Sequence, residues 1–340
     1  MNIIYLHTSL KKCGPTSQLK TLLSNKNENF IYYLFLIRSP KVQDLNLVNI
    51  NIISSLFHLV VLVNQLNNKK YIIHSSGILP DILLFFIKIF APKNLKAFTT
   101  VRNIPWEDYK FRFGILGLLL SKFHLLVLKR LTIICCSSTV YKEFKELKFL
   151  KNNIYFVDNC FTISANVNSI KKNKGKLKFL SLSPLIKRKQ VLKTISLFKN
   201  LELDFHFDIY GNGPQTDEIL RSIEGDYRFF FKGYVNNHQL NFQDYDALIS
   251  LSFSEGLPNS VIESLYNGTF AILSPISSHK YLSNFSKKAL ILNSFETSNL
   301  NKLLNFIVEN RNTRIDVERF RNYFGKERMI KEYLKIYEGN

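Results

Sequence analysis

Two glutamates eight residues apart, Glu255 and Glu263, flank a turn made of Gly256, Leu257, Pro258 and Asn259. A turn of this kind at a helix start leaves backbone N–H groups free, and the helix dipole there favours an anion. The two carboxylates beside it could be the acid and nucleophile of a glycosidase, although a spacing of eight positions does not fix their separation. They could equally be solvated side chains of an ordinary βαβ unit. Upstream stands Lys187-Arg188-Lys189. Its guanidinium could hold a phosphate through two hydrogen bonds, or the run could be a solvated basic turn.

The elements around the turn set its geometry. Residues 247–253, ALISLSF, are apolar and suit a buried parallel strand. Pro258 fits a helix start, where its missing N–H costs least. Ile262 and Leu265/Tyr266 recur at helical spacing, Asn267-Gly268 suits a C-cap, and residues 270–273 begin another strand. The turn therefore falls at the carboxyl end of a strand, where open α/β sheets bind ligands.

The same alternation runs through the chain. Strands are predicted near residues 2–5, 30–36, 71–74, 95–101, 131–136 and 153–157, with crossover helices over 16–23, 81–89 and 114–129. Residues 164–178, polar and ending in KKNKGKLK, break the pattern as a linker. Strands then resume at 177–181, 205–210 and 229–231, with helices over 191–197 and 216–221. Residues 317–337 read as an amphipathic terminal helix, kinked at Gly325. The expected class is α/β, two doubly wound parallel sheets.

Within this frame, E-G-L-P-N-x-x-x-E over residues 255–263 resembles the donor-site motif of family 4 glycosyltransferases. These are retaining, nucleotide-sugar-dependent enzymes of the two-domain GT-B fold. The likeness covers nearly the whole chain. DIYGNGP, with Gly211, matches the family's strand ending in G-x-G-P. FKGYV, with Gly233 and Tyr234, matches a segment whose backbone contacts the base. SLSPLIKRKQ lines up with a pattern in which an Arg and, five residues on, a Lys hold the donor diphosphate. Lys189 takes the Lys position, Pro184 stands at the Arg position, and Arg188 is the candidate replacement. In HTSLKKCGPTSQL, Gly14 would let backbone approach the diphosphate. IIHSSG resembles the family's strand ending in His. In TTVRNIPWEDY, Arg102 stands where many members carry a His near the transferred sugar. Arginine cannot act as a base, so it could only position groups or stabilise charge. VDNC has Cys160 in place of a Gly.

The resemblance implies a division of labour. Glu263 would accept from ribose hydroxyls and Glu255 from sugar hydroxyls, with Gly256, Leu257, Pro258 and Asn259 completing the donor site. Lys189, Gly14 and the helix start near Asn259 would hold the departing diphosphate. Glu255, Lys189 and Arg102 would be the catalytic set. No metal or other cofactor is expected, and a UDP-sugar is favoured over a GDP-sugar. Residues 1–165 would form an acceptor-side domain, 166–178 a linker and 179–316 the nucleotide-sugar domain. Residues 317–340 would be a terminal helix crossing back to the first domain, with the donor in the interdomain cleft. Similar enzymes build bacterial surface polysaccharides on lipid carriers. The expected partners are therefore a nucleotide-sugar donor, a lipid-linked or oligosaccharide acceptor and an anionic membrane surface. Alternatives are a non-catalytic basic lipid- or glycan-binding adaptor with a GT-B fold, or a GT-B nucleotide-sugar epimerase.

Composition limits the choices further. A chain of 340 residues with 46% hydrophobic content, 13 Gly and 9 Pro is long enough for two cores. The net charge of +20 is uneven: up to residue 178, 26 Lys and Arg face 8 Asp and Glu, but from 179 onward 20 face 18. An excess confined to one half points to an anionic partner, or else to a genome biased toward Lys codons. The basic residues are spaced singly among apolar ones, especially over 82–96 and 114–130, which fits a membrane surface better than nucleic acid. No apolar stretch is long enough to span a bilayer, and MNIIYLHTSL does not read as a signal peptide. Cys13, Cys135, Cys136 and Cys160 show no metal or disulfide spacing and suit reduced core residues. A cytoplasmic protein, peripheral on the inner face of the membrane, is expected.

Overall fold

The computed structural model describes residues 1–9, 14–24, 29–38, 50–53, 55–66, 71–90, 95–147, 150, 153–161, 175–235, 240–311 and 318–339. Cys13 and residues 166–174 of the expected linker lie outside them. The chain divides into two compact units, residues 1–159 with 326–340, and residues 160–325.

The first unit is built on seven strands, β1 (Asn2–His7), β2 (Ile31–Leu36), β3 (Ile50–Ile53), β4 (Tyr71–Ser76), β5 (Lys96–Val101), β6 (Thr132–Cys135) and β7 (Ile154–Phe156). All neighbours pair in parallel, in the order β3-β2-β1-β4-β5-β6-β7. Strands such as NIIYLH are buried along their full length, which is why they read as unbroken apolar runs. Between them run α1 (Gly14–Leu23), α2 (Leu56–Gln65), α3 (Ile78–Phe90), α4 (Pro105–Phe113), α5 (Ile115–Leu128) and α6 (Ser138–Glu146). The sequence reading did not anticipate β3, α2, α4 or α6. β3 is only four residues long and has Asn51 among its isoleucines, so it does not stand out as an unbroken apolar run.

The second unit has six parallel strands, β8 (Leu177–Leu182), β9 (Phe205–Tyr210), β10 (Phe229–Gly233), β11 (Ala247–Ser250), β12 (Phe270–Leu273) and β13 (Ala289–Ile291), ordered β10-β9-β8-β11-β12-β13. Helices α7 (Val191–Lys199), α8 (Thr216–Ile223), α9 (Asn259–Tyr266), α10 (Ser277–Ser283), α11 (Thr297–Asn310) and α12 (Glu318–Tyr323) belong to it. Its core holds Phe179, Phe198, Phe205 and Phe207, with ring centroids 4.9–6.1 Å apart in edge-to-face pairs.

The terminal segment is two helices rather than one kinked helix. α12 ends at Tyr323, and α13 (Lys326–Glu338) packs in the first unit. There Tyr333 meets Thr100 at 3.0 Å, Lys96 Nζ donates to the Tyr337 carbonyl at 3.0 Å, and Arg328 donates to the Asp158 carbonyl at 2.8 Å.

In each sheet the chain reverses its direction of winding once, between β1 and β4 in the first unit and between β8 and β11 in the second. These reversals open a crevice at the carboxyl ends of the strands. Two doubly wound parallel sheets are what the alternating pattern predicts.

Candidate functional site

In the second unit the loops after β8 and β11 are bonded to each other. The expected strand over 247–253 stops at Ser250 because the backbone beyond it turns to the β8 loop. The Leu251 carbonyl accepts from Gln190 Nε2 at 2.8 Å, and Phe253 N donates to the Arg188 carbonyl at 2.9 Å. Lys187–Lys189 form one 3₁₀ turn, and Gln190 adopts a left-handed φ of 54° to start α7.

This turn directs two cations at one carboxylate. Lys189 Nζ bonds Glu255 Oε1, Arg188 Nη1 lies 3.2 Å from Oε2, and Ser252 Oγ donates to Oε1 at 2.8 Å. Arg188 Nη1 also donates to the Ser254 carbonyl. Burial alone would raise the Glu255 carboxyl, but the Lys189 and Arg188 charges and the Lys189 hydrogen bond outweigh it and hold it down at about 2. Two cations against one carboxylate leave a net charge of +1. α9 starts at Asn259 with Pro258 at its N-cap and no capping side chain, so the positive end of its dipole adds to that field.

A third loop supports the first. Gly211 has φ 144°, and a Cβ there would lie 1.9 Å from the Ser183 carbonyl oxygen; one on Gly213 would lie 2.4 Å from the Leu185 oxygen. Leu185 N donates to the Asn212 carbonyl at 3.0 Å. The G-N-G turn after β9 thus seats the loop that carries Arg188 and Lys189, and its glycines are set by backbone contact.

Arg188, Lys189 and Glu255 are in direct contact, and Gly256, Leu257, Pro258 and Asn259 continue the same loop into α9. Glu263 is 3% exposed, on the next turn of α9. Gly233 and Tyr234 stand at the end of β10, an edge strand, and Tyr234 is exposed. The sequence reading missed His279 on α10. It is buried, its Nδ1 lies 3.1 Å from the Ser274 carbonyl oxygen, and its Nε2 has no partner. Burial, opposed by the nearby Glu255 charge, lowers its pKa to about 4. Its position just after β12, at the same end of the sheet as Glu255, was the available signal.

The first unit has its own constellation at the β1–β4 reversal. His7 and Ser76 are register partners at the strand ends. Arg102, following β5, donates from Nε to Ser76 Oγ at 3.1 Å. His7 Nδ1 lies 2.8 Å from the Ser9 carbonyl oxygen, which places the proton on Nδ1 and leaves Nε2, unpartnered and buried, as an acceptor. Burial, then the Arg102 charge, lowers His7 to about 4; burial, Arg102 and His7 lower His74 to about 3. Gly14 opens α1, and residues 10–13 before it lie outside the described residues. Cys135, Cys136 and Cys160 are buried free thiols. Among the described residues no group of three or more His, Cys, Asp or Glu side chains is placed to hold a metal ion.

Comparison with known proteins agrees with this architecture. Residues 163–325 match the model for glycosyl transferases group 1. The chain is 25% identical to the O-antigen biosynthesis glycosyltransferase WclY of Escherichia coli, over 99% of this chain and 98% of that one. Among solved structures it is similar to the sucrose-phosphate synthase of Thermosynechococcus elongatus (TM-score 0.80, 12% identity, 100% and 99% coverage). It is also similar to Anabaena HepE in complex with UDP-glucose (TM-score 0.78, 13% identity, 100% coverage of both chains). The chain therefore has the two-domain GT-B fold, and its second unit is where the match to the group 1 glycosyl transferase model falls.

Proposed function

We propose that this chain is a retaining glycosyltransferase that moves a sugar from a nucleotide-sugar donor to a hydroxyl of a lipid-linked glycan acceptor in bacterial surface-polysaccharide biosynthesis. The observation that carries the reading is the net +1 cluster of Arg188, Lys189 and Glu255 at the second sheet's reversal, beside the start of α9. When a sugar leaves a nucleoside diphosphate, negative charge grows on the phosphates, and cations already oriented toward them lower the barrier. Glu255 holds Lys189 and Arg188 in place before the donor arrives. A carboxylate with pKa about 2 stays ionised throughout, so it orients and accepts hydrogen bonds and does not deliver a proton.

The other assignments follow from the sequence resemblance. Glu263 accepts from the ribose, Glu255 from sugar hydroxyls, and Gly211, Gly233 and Tyr234 border the nucleotide. Gly14 and Arg102 serve from the first unit. Phosphate charge is assigned to side chains and helix N–H groups, not to a metal. Front-face attack, assisted by the leaving phosphate, accounts for retention without a side-chain base. A UDP-sugar is preferred because HepE is described in complex with UDP-glucose, and an O-antigen-like acceptor because WclY acts in O-antigen biosynthesis. The site of action is the inner face of the cytoplasmic membrane.

A thermal-shift screen of UDP, GDP and their sugars, followed by turnover of the best sugar nucleotide, tests this reading. A ligand at about 100 times its Kd adds roughly 2.7 kcal/mol of apparent stability. Lys189→Ala should lower turnover about 10²–10³-fold, as loss of a preorganised donor does, and more than Arg188→Ala. No stabilisation by any nucleotide, or wild-type turnover in Lys189→Ala, would contradict the proposal.

A further inference from the structure

α5 is inverted relative to an ordinary surface helix. Its buried side carries Gly117, Ser121 and His124 along with Leu125 and Leu128, whereas its outer side carries Ile115, Leu116, Leu119, Phe123 and Leu126. Ile115 is 82% exposed, Leu116 72%, and Leu119 and Leu126 61% each. In water a helix turns its polar stripe outward.

The polar inner side is held by specific contacts. His124 Nε2 lies 2.8 Å from Asp81 Oδ2, and its Nδ1 lies 2.8 Å from the Tyr109 hydroxyl. Asp81, on α3, also accepts from Ser75 at 2.6 Å and Thr99 at 2.7 Å. A Cβ on Gly117 would lie 2.0 Å from the Tyr109 carbonyl oxygen, so α5 seats directly on α4. The helix is therefore fixed with its apolar side outward. Phe86, Ile89 and Phe90 of α3 and Phe111 and Phe113 of α4, the two helices α5 packs on, are exposed as well.

The charge on this surface selects its partner. Lys122 stands within the exposed side of α5, Lys129 and Arg130 follow its end, and Lys88 and Lys110 are exposed on the neighbouring helices. Of the three acidic residues in 78–130, Asp81 is buried in the network above, Asp108 pairs with Arg112 at 3.0 Å, and Glu107 is half-buried in the first turn of α4. A second copy docked about a twofold axis would set this cationic surface against itself. An anionic bilayer supplies both an apolar phase and the counter-charge. No helix among the described residues is long and apolar enough to cross a membrane.

We propose that the outer face of α5, with the exposed ends of α3 and α4, is a docking surface for an anionic lipid bilayer. Ile115, Leu116, Leu119, Phe123 and Leu126 enter the boundary between headgroups and acyl chains, and Lys122, Lys129 and Arg130 pair with lipid phosphates. This names the element behind the membrane setting proposed above, and it rests on that reading only for the side of the membrane. Vesicle binding needs no turnover, so the two can fail separately.

The test is flotation of the full chain, without nucleotide, with phosphatidylglycerol or phosphatidylcholine vesicles. The chain should float with the anionic vesicles and at least about tenfold less with the neutral ones. Raising salt to about 0.5 M, where the Debye length is near 4 Å, should weaken but not abolish it. Leu116→Asp with Leu119→Asp should remove flotation while leaving the thermal midpoint unchanged. Lys122→Glu with Lys129→Glu should remove the preference for anionic vesicles. No flotation of the wild type, equal flotation with both lipids, or full flotation of the aspartate variant would overturn the proposal. So would a wild-type dimer that the aspartate variant converts to monomer, because a second copy would then cover this face.

Discussion

The carboxyl ends of the two sheets solve different electrostatic problems. In the second unit, two cations share one carboxylate, and the loops bearing them are tied by backbone and by glycines that admit no side chain. In the first unit, Arg102 reaches Ser76 while His7 and His74, buried near it, are kept neutral. The net positive charge in the second unit suits an anion. The first unit offers the Arg102 guanidinium and uncharged acceptors such as His7 Nε2, which suit hydroxyls. Topology gives both units the same crevice; side-chain charge distinguishes them.

The two units differ most at the glycines that follow their strands. Gly211 in the second unit and Gly77 in the first both follow a strand and have positive φ, but a Cβ on Gly77 meets nothing within 4 Å. Gly211→Ala should destabilise by about 3 kcal/mol or more, because backbone must move as well as bear the strain. Gly77→Ala should cost only the left-handed conformation, about 1–2 kcal/mol. Denaturant midpoints measure both. Equal costs would mean that the β9 loop does not seat the β8 loop as described.

Acid separates the buried imidazoles from the Glu255 carboxylate next. His7, His74 and His279 have folded pKa values below the ordinary 6.5, so the unfolded chain binds protons first. Their contribution is complete above about pH 6.5 and is lost as pH falls toward 4, by about 2 kcal/mol per imidazole between pH 7 and 5. Glu255, depressed from 4.5 to about 2, contributes above about pH 4.5 and loses its share only below it. Denaturation of His74→Asn at pH 7 and pH 5 should therefore show a smaller drop than wild type, by about that amount, whereas Glu255→Gln should leave this interval unchanged. Identical drops in wild type and His74→Asn would show that His74 is not held neutral.

Much of this was legible in the chain. Fully buried parallel strands announce themselves as apolar runs, so β1 and β12 were readable, and E-G-L-P-N marked a loop at a strand's end. What was not legible depended on partners distant in sequence. β11 stops at Ser250 because Gln190 and Arg188, some sixty residues earlier, take up the next backbone groups. The direction of Arg188 was open for the same reason: it is decided by the Ser254 carbonyl and Glu255. His279 carried no motif, and only the packing of α10 brings it near Glu255. The inversion of α5 was hidden because leucines stand on both its sides; the contact of His124 with Asp81 shows that the side bearing Ser121 and His124 faces inward.

In the proposed function the Arg188–Lys189–Glu255 cluster holds a diphosphate. Titration calorimetry of UDP and of uridine against wild type and Lys189→Ala isolates that contact. UDP should bind wild type more tightly than uridine, and Lys189→Ala should narrow the gap by about 1.5 kcal/mol, the lower range for a hydrogen bond to a charged group, with uridine affinity unchanged. A gap of the same size in both proteins would contradict the account.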